Sequence, residues 1–246
     1  MTTQTTTADA TLATGTKSLP ARILGVLFAP RATYADVAAR PRVIGAFAVV
    51  LAVIVSATFV FLSTDAGQQA SLDNQIKQME SFGRTVSDAQ YQQMERMAPY
   101  ARYFAAGFQL LLTPIMALVV AGILYAVFNA VLGGDATFKH VYAIVAHSGA
   151  ILIVQALFTL PLAYARGSLS SATNLAVFFP FLDDASFVAR LLGSIDLFLV
   201  WWFISLAIGL GVLYRRRTAP IATTLLVVYA SIGLVIAAIK TATSGA

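Results

Sequence analysis

Two histidines, His140 and His147, stand seven residues apart in a chain that has no cysteine. On a helix that spacing puts both rings on one face, separated by about 10 Å along the axis. A shared metal ion needs ligands at about 2 Å, and no HExxH pattern or nearby carboxylate accompanies them, so no metal site is expected. With no thiolate available, zinc–thiolate sites and disulfides are excluded. Asp183-Asp184 has no loop of further oxygens around it and is a weak calcium signal. Ser148 follows His147 directly, but neighbours on a helix point about 100° apart and cannot form a nucleophile–base pair. Ser205 could face His147 from another helix as an intramembrane hydrolase would require, yet no Gly-x-Ser-x-Gly elbow surrounds it. No catalytic residue, metal ligand or cofactor-binding residue is therefore assigned.

The other chemistry open to such residues is proton or ion coupling. His147, Gln155, Asn129 and Asp196 all fall in or beside apolar stretches, and ionisable groups at membrane depth are functional candidates by default. A small transporter or channel subunit would bring these four into one polar cavity. The plainer expectation is that Asn129, Gln155 and Gln109 hold helices together, that His140 is interfacial and His147 buried between helices, and that Asp196 is a hydrated carboxylate at headgroup level, pairing with Arg190.

The elements that position these residues are apolar runs. Of 246 residues, 59% are hydrophobic and 11% charged, against about 25% charged in a soluble domain. Asp196–Arg217 is the clearest run: 18 uncharged residues, Leu197 to Tyr214, sit between a carboxylate and three arginines. At about 1.5 Å per residue they cover roughly 27 Å of a ~30 Å hydrocarbon core. Four further runs give spans of about 43–64, 107–131, 141–165, 195–214 and 218–239 in all. The spacing predicts a kink at Pro114 and a turn at Gly133-Gly134. Ala48, Ala52 and Ser56 form one small-residue stripe; Ser205 with Gly209, and Ala207 with Gly211, form two more, where another helix can approach closely.

Before and between these spans lie four further segments. Residues 1–18 form a Thr/Ala-rich tail, disordered by composition and without the features of a secretory signal. Residues 19–40 carry Ile23, Leu24, Leu27 and Phe28, then Tyr34, Val37 and Ala38, on helical faces broken by Pro30 and Pro41. They form an amphipathic segment that either lies in the membrane interface or packs under the bundle. Residues 65–102 form a short helical hairpin outside the bilayer, with a capping box at Ser87 and Gln90. In Arg166–Arg190, Leu175–Leu182 is too short to cross and dips into the interface.

The fold class is thus all-α: one polytopic, five-span bundle over residues 19–240. With the N-terminus inside, nine basic residues fall in cytoplasmic segments and seven outside. The inner set crowds into short segments next to spans, with Arg215, Arg216 and Arg217 as the topology-determining run. This orientation puts the C-terminus outside. The net charge of +5 goes to orientation and lipid headgroups, not to nucleic acid.

Three stretches resemble a bacterial member of the Yip family of Ypt/Rab-interacting integral membrane proteins: Leu27–Tyr34 with Arg40-Pro41, Gly133–Ser148, and Leu192–Trp202 with Gly209, Gly211 and the arginine run. The likeness covers roughly residues 20–240, spans and order included. It implies a multi-pass protein of the cytoplasmic (inner) membrane with a cytoplasmic N-terminus. It implies a non-enzymatic role in membrane trafficking, shaping or partner binding, and no catalytic residues. The eukaryotic members' Asp-Leu-Tyr-Gly-Pro-type motif has no clear counterpart, so no small-GTPase partner is carried over. The expected partners are the lipid bilayer and a second copy or another membrane protein, with no small molecule identified.

Overall fold

A computed structural model describes residues 17–169 and 173–244. Apart from Lys17 and Ser18, the tail assigned to residues 1–18 lies outside the described residues. The order is α1 (Leu19–Phe28), α2 (Pro30–Ala39), α3 (Ile44–Leu62), α4 (Asp65–Ser81), α5 (Asp88–Met97), α6 (Ala101–Tyr125), α7 (Phe138–Ser148), α8 (Ala150–Arg166), α9 (Phe187–Gly193), α10 (Leu197–Leu213) and α11 (Thr218–Ser244). Among the described residues the only extended pairing is an isolated bridge between Asn174 and Asp196.

Four continuous helical stretches are long and apolar enough to cross a membrane: Ile44–Leu62, Asp88–Val131, Phe138–Arg166 and Thr218–Thr243. α10 is apolar but has 17 residues, about 25 Å, so it is shorter than the other four. Its limits have local causes. Asp196 caps its start by accepting from the N–H groups of Phe198 and Leu199, and beyond Tyr214 the chain turns at Arg215, which sits at φ 52°.

The α7–α8 span is the centre of the bundle. Half of its apolar window is buried, against 11–17% for the other three long spans. The main core gathers Ile144, Val141 and Ala143 of α7 with Leu206, Ala207 and Leu210 of α10, Leu124 and Ala121 of α6, and Val26, Tyr34 and Val37 from the N-terminal helices. α3 lies between α6 and α8. A second, smaller cluster joins Phe61, Leu62, Ala70 and Ala163 at the opposite end of the bundle from Arg215–Arg217. We call the two ends the loop end and the arginine end.

The two alternatives for residues 19–40 are resolved by packing. α1 and α2 form a hairpin set into the bundle, α2 against α10 and α7, and α1 against α7 and α8. Tyr34 and Val37 have no exposed surface. Gly25 lets the two arms close: a Cβ there would lie 2.3 Å from the Thr33 hydroxyl. The outer faces of the hairpin still carry exposed Leu24 and Phe28.

Residues 65–97 are two helices, as their periodicity predicts. Thr64 caps α4, and the Ser87/Gln90 capping box opens α5. α4 leans back on α3, α8 and α11. One feature the periodicity does not carry is a π-helical turn over Ala126–Val131, between α6 and the Gly133-Gly134 turn. Pro114 and Pro161 lie inside helices. The Ala48, Ala52 and Ser56 stripe of α3 is exposed rather than packed against another helix of this chain.

Candidate functional site

Most polar residues of the spans fall into three separate clusters, each tying a connection to the bundle; apart from them, Gln109 of α6 donates to the Thr58 hydroxyl of α3 at 3.2 Å. The first lies under the α1–α2 hairpin. Arg22 is 2% exposed. Its Nε donates to Asp36 Oδ2 at 2.7 Å and its NH1 donates to the Arg40 carbonyl at 3.1 Å, locking α1 to α2. This is the one ion pair among the described residues, so the expected Arg190–Asp196 pair is not present. Lys17 donates to the Thr33 hydroxyl at 2.9 Å. On the other side of α2, the Tyr34 hydroxyl and Ser205 Oγ are 2.7 Å apart. Burial raises the Tyr34 pKa well above its ordinary value, with the Ser205 bond working weakly the other way.

His147 stands behind this hairpin with no exposed surface. Its Nδ1 lies 2.7 Å from the Ala143 carbonyl, which makes Nδ1 the protonated nitrogen when the ring is neutral. Nε2 is buried with no hydrogen-bond partner among the described residues. Neither serine serves it: Ser205 bonds Tyr34, and Ser148 donates to the Val145 carbonyl. His140 instead sits in the first turn of α7, with Nδ1 2.7 Å from Thr137 Oγ1.

The second cluster is at the loop end and centres on Asp196. Besides capping α10, its carboxylate accepts from Gln155 Nε2 of α8 at 3.3 Å and from Thr173 Oγ1. Its own N–H donates to the Tyr229 hydroxyl of α11, which donates to the Ser194 carbonyl. Asp196 is therefore a half-buried junction among α8, α10, α11 and the 173–175 segment, not a carboxylate free in water. A four-donor environment is what a buried charge needs. The Leu175–Phe178 turn exposes Phe178, and Phe181 just beyond it is exposed too.

The third cluster is at the arginine end. Asn129, in the π-helical turn, donates to the Ala136 carbonyl at 2.6 Å and accepts from the Tyr214 hydroxyl at 2.7 Å. Phe128 stacks on the Tyr214 ring at 4.7 Å. Gly134 lies beneath that ring, where a Cβ would meet Tyr214 Cε1 at 2.5 Å. Arg216 donates to the Leu132 carbonyl at 2.7 Å. Arg215 and Arg217 are exposed.

Of the four groups that a transport cavity would bring together, Gln155 and Asp196 meet. His147 is two turns from Gln155, about 12 Å along α7–α8, and Asn129 is at the far end. Ser205, Ala207, Gly209 and Gly211 are all buried. A Cβ on Gly209 would lie 2.5 Å from Ile144 Cγ2 and 3.1 Å from Tyr34 Cδ1, and one on Gly211 would lie 3.0 Å from the Arg216 carbonyl. No group of three or more His, Asp or Glu suited to a metal ion occurs among the described residues.

The arrangement is a set of short loops and one N-terminal hairpin fastened to an apolar bundle by glycines and polar side chains, among them Arg22, Tyr34, Asn129, Asp196 and Tyr214. A Yip1 domain model matches residues 24–239. The chain belongs to the Yip1 domain family. Comparison with curated proteins and with solved structures found no match. A Yip1 protein with four long apolar helices and a fifth shorter one is a multi-pass membrane protein in contact with lipid. The hairpin's Arg22–Asp36 pair and the Tyr34–Ser205 bond are contacts that sequence reading missed. The signal for the first was present: the one charged residue of α1, Arg22, stands fourteen residues before the one acid of α2, Asp36, on opposite sides of Pro30.

Proposed function

We propose that this Yip1 protein is a non-enzymatic organiser of the membrane. It crosses the bilayer five times, with α10 as the fourth crossing, and acts by helix pairing and through the surface at its arginine end. One observation carries this reading: the polar side chains at membrane depth serve as fastenings between elements. Asp196, Asn129, Ser205 and Arg22 each hold two or more segments together, and none faces a common cavity. Binding energy invested in this way supports a fixed shape rather than a reaction. A second copy or another membrane protein is the expected partner.

The orientation proposed is N-terminus in the cytoplasm and C-terminus outside, with the protein in the cytoplasmic membrane. Arg215–Arg217 lies in a turn between two apolar helices, where basic residues set topology. A reporter fused after Ala246 that is active only in the cytoplasm would overturn it. The organising role is tested by reconstituting the purified chain at several protein-to-lipid ratios and imaging the vesicles. The expected result is a vesicle diameter that changes with protein load. Diameters identical to protein-free vesicles at every load, with the protein monomeric throughout, would refute it.

A second reading rests on His147. Its buried Nε2, without a hydrogen-bond partner among the described residues, is what a proton-linked role would use.

A further inference from the structure

At the arginine end the start of α2 and the start of α11 face each other across an open groove of about 790 Å³, lined by Arg31, Arg217, Thr218, Pro220, Thr223 and Thr224. Arg31 and Arg217 come from opposite ends of the chain, and both are exposed. Neither guanidinium has an acceptor among the described residues. The carboxylate nearest in sequence to Arg31, Asp36, is held by Arg22. The neighbouring Arg216 is turned away onto the Leu132 carbonyl. No carboxylate lines the groove. The fold thus brings two uncompensated cations to one place, an arrangement whose repulsion an anion between them would turn into attraction. Guanidinium is the side chain best matched to phosphate oxygens, which it can grip with two parallel N–H bonds.

The surroundings indicate which anion. Phe28, three residues before Arg31 and at the tip of the hairpin, is 83% exposed, and Leu24 one turn earlier is also exposed. Such side chains next to arginine suit the boundary between acyl chains and headgroups, not open water. The first-turn N–H groups of α2 and α11 have no intrahelical acceptor and add partial positive charge on the same side. We propose that this groove is a docking surface for the phosphate of an anionic phospholipid, held between Arg31 and Arg217 in the leaflet at the arginine end. The docking goes beyond the organising role and does not depend on it, because a bundle of any function could carry the lipid.

The test is lipid binding to the full chain in mild detergent, read as bound adducts by native mass spectrometry. The titrants are phosphatidylglycerol, phosphatidylcholine and, in a separate arm, inorganic phosphate. Phosphatidylglycerol is expected to bind in preference to phosphatidylcholine. R31Q/R217Q is expected to lower its affinity by about tenfold or more, the order set by two basic side chains at a membrane surface. R84Q/R96Q, with both arginines at the loop end, is expected to leave it unchanged. Should the double variant not fold, R217Q alone decides. Three outcomes would overturn the proposal: equal binding of the two lipids, an R31Q/R217Q affinity matching the wild type, or displacement of phosphatidylglycerol by millimolar inorganic phosphate.

Discussion

The hydroxyl groups of Tyr34 and Ser205 lie 2.7 Å apart in the interior of the bundle, joining residues 171 positions apart in sequence. Ser205 is eight residues, about 12 Å of helix, from the arginine end of α10. The N-terminal hairpin therefore reaches well into the bundle and is part of its core. The small residues around it make this possible: Gly209 leaves the space that the Tyr34 ring fills.

Breaking that bond from one side strands a buried hydroxyl. Tyr34→Phe and Ser205→Ala are each expected to lower stability by about 1–3 kcal/mol, and the double substitution by less than the sum of the two. Denaturant titration of the purified variants in detergent measures all three. Additive losses would mean that the two hydroxyls do not interact.

Alkali adds an independent check on the same residue. Burial holds the Tyr34 phenol neutral in the folded protein well above its ordinary pKa of 10.0, while the unfolded chain loses that proton near pH 10. The folded state then binds more protons than the unfolded one, so stability is intact below about pH 10 and falls as pH rises beyond it. Tyr34→Phe should show a shallower decline between pH 10 and 12. Identical slopes for variant and wild type would contradict the burial of this phenol.

Removing one partner of the Arg22–Asp36 pair leaves the other charge with little water. Arg22→Met alone is expected to cost about 3–5 kcal/mol, and Arg22→Met with Asp36→Leu markedly less, because a buried pair replaced as a unit leaves no orphan charge. Thermal unfolding in detergent reads the difference. A double variant as unstable as Arg22→Met would show that the hairpin needs the ion pair itself.

Glycine substitutions separate contact from propensity. Gly209→Ala and Gly134→Ala insert a methyl within 2.5 Å of Ile144 and Tyr214 respectively and are expected to cost about 1–3 kcal/mol by overpacking. Gly107, in α6, has nothing within 4 Å of an added Cβ. Gly107→Ala should stabilise by up to about 1 kcal/mol through helix propensity. Equal responses at the three sites, followed by thermal unfolding, would contradict the close approaches described.

Much of this fold was legible from simple patterns. Apolar length marked the four long apolar helices, Ser87 and Gln90 marked the start of α5, and the proline at position 30 marked the joint between α1 and α2. The residues that fasten the elements were harder to read. Asp196 resembles a headgroup carboxylate because its partners, Gln155, Thr173 and the Tyr229 hydroxyl, lie far off in sequence and carry no charge. Asn129 sits in a π-helical turn whose apolar residues have ordinary helical character, so only its bonds to Ala136 and Tyr214 reveal the change in winding. Amphipathic spacing in residues 19–40 describes a face but not what covers it: lipid headgroups and the side chains of α7 and α10 present much the same demand.

Asp196→Ala removes the cap of α10 and four donors' common acceptor at once. The cap alone is worth about 1 kcal/mol, so a larger loss of stability, measured by denaturant titration, is expected. A loss no greater than that of Asp183→Ala, an exposed aspartate, would contradict the junction.

The central claim is that the intramembrane polar groups fasten the structure rather than move protons. Proton flux into proteoliposomes under an imposed pH gradient tests it most directly. The account predicts an initial rate equal to that of protein-free vesicles, unchanged by His147→Gln or Asp196→Asn. A rate above that baseline which either substitution abolishes would contradict it and favour a proton-linked role.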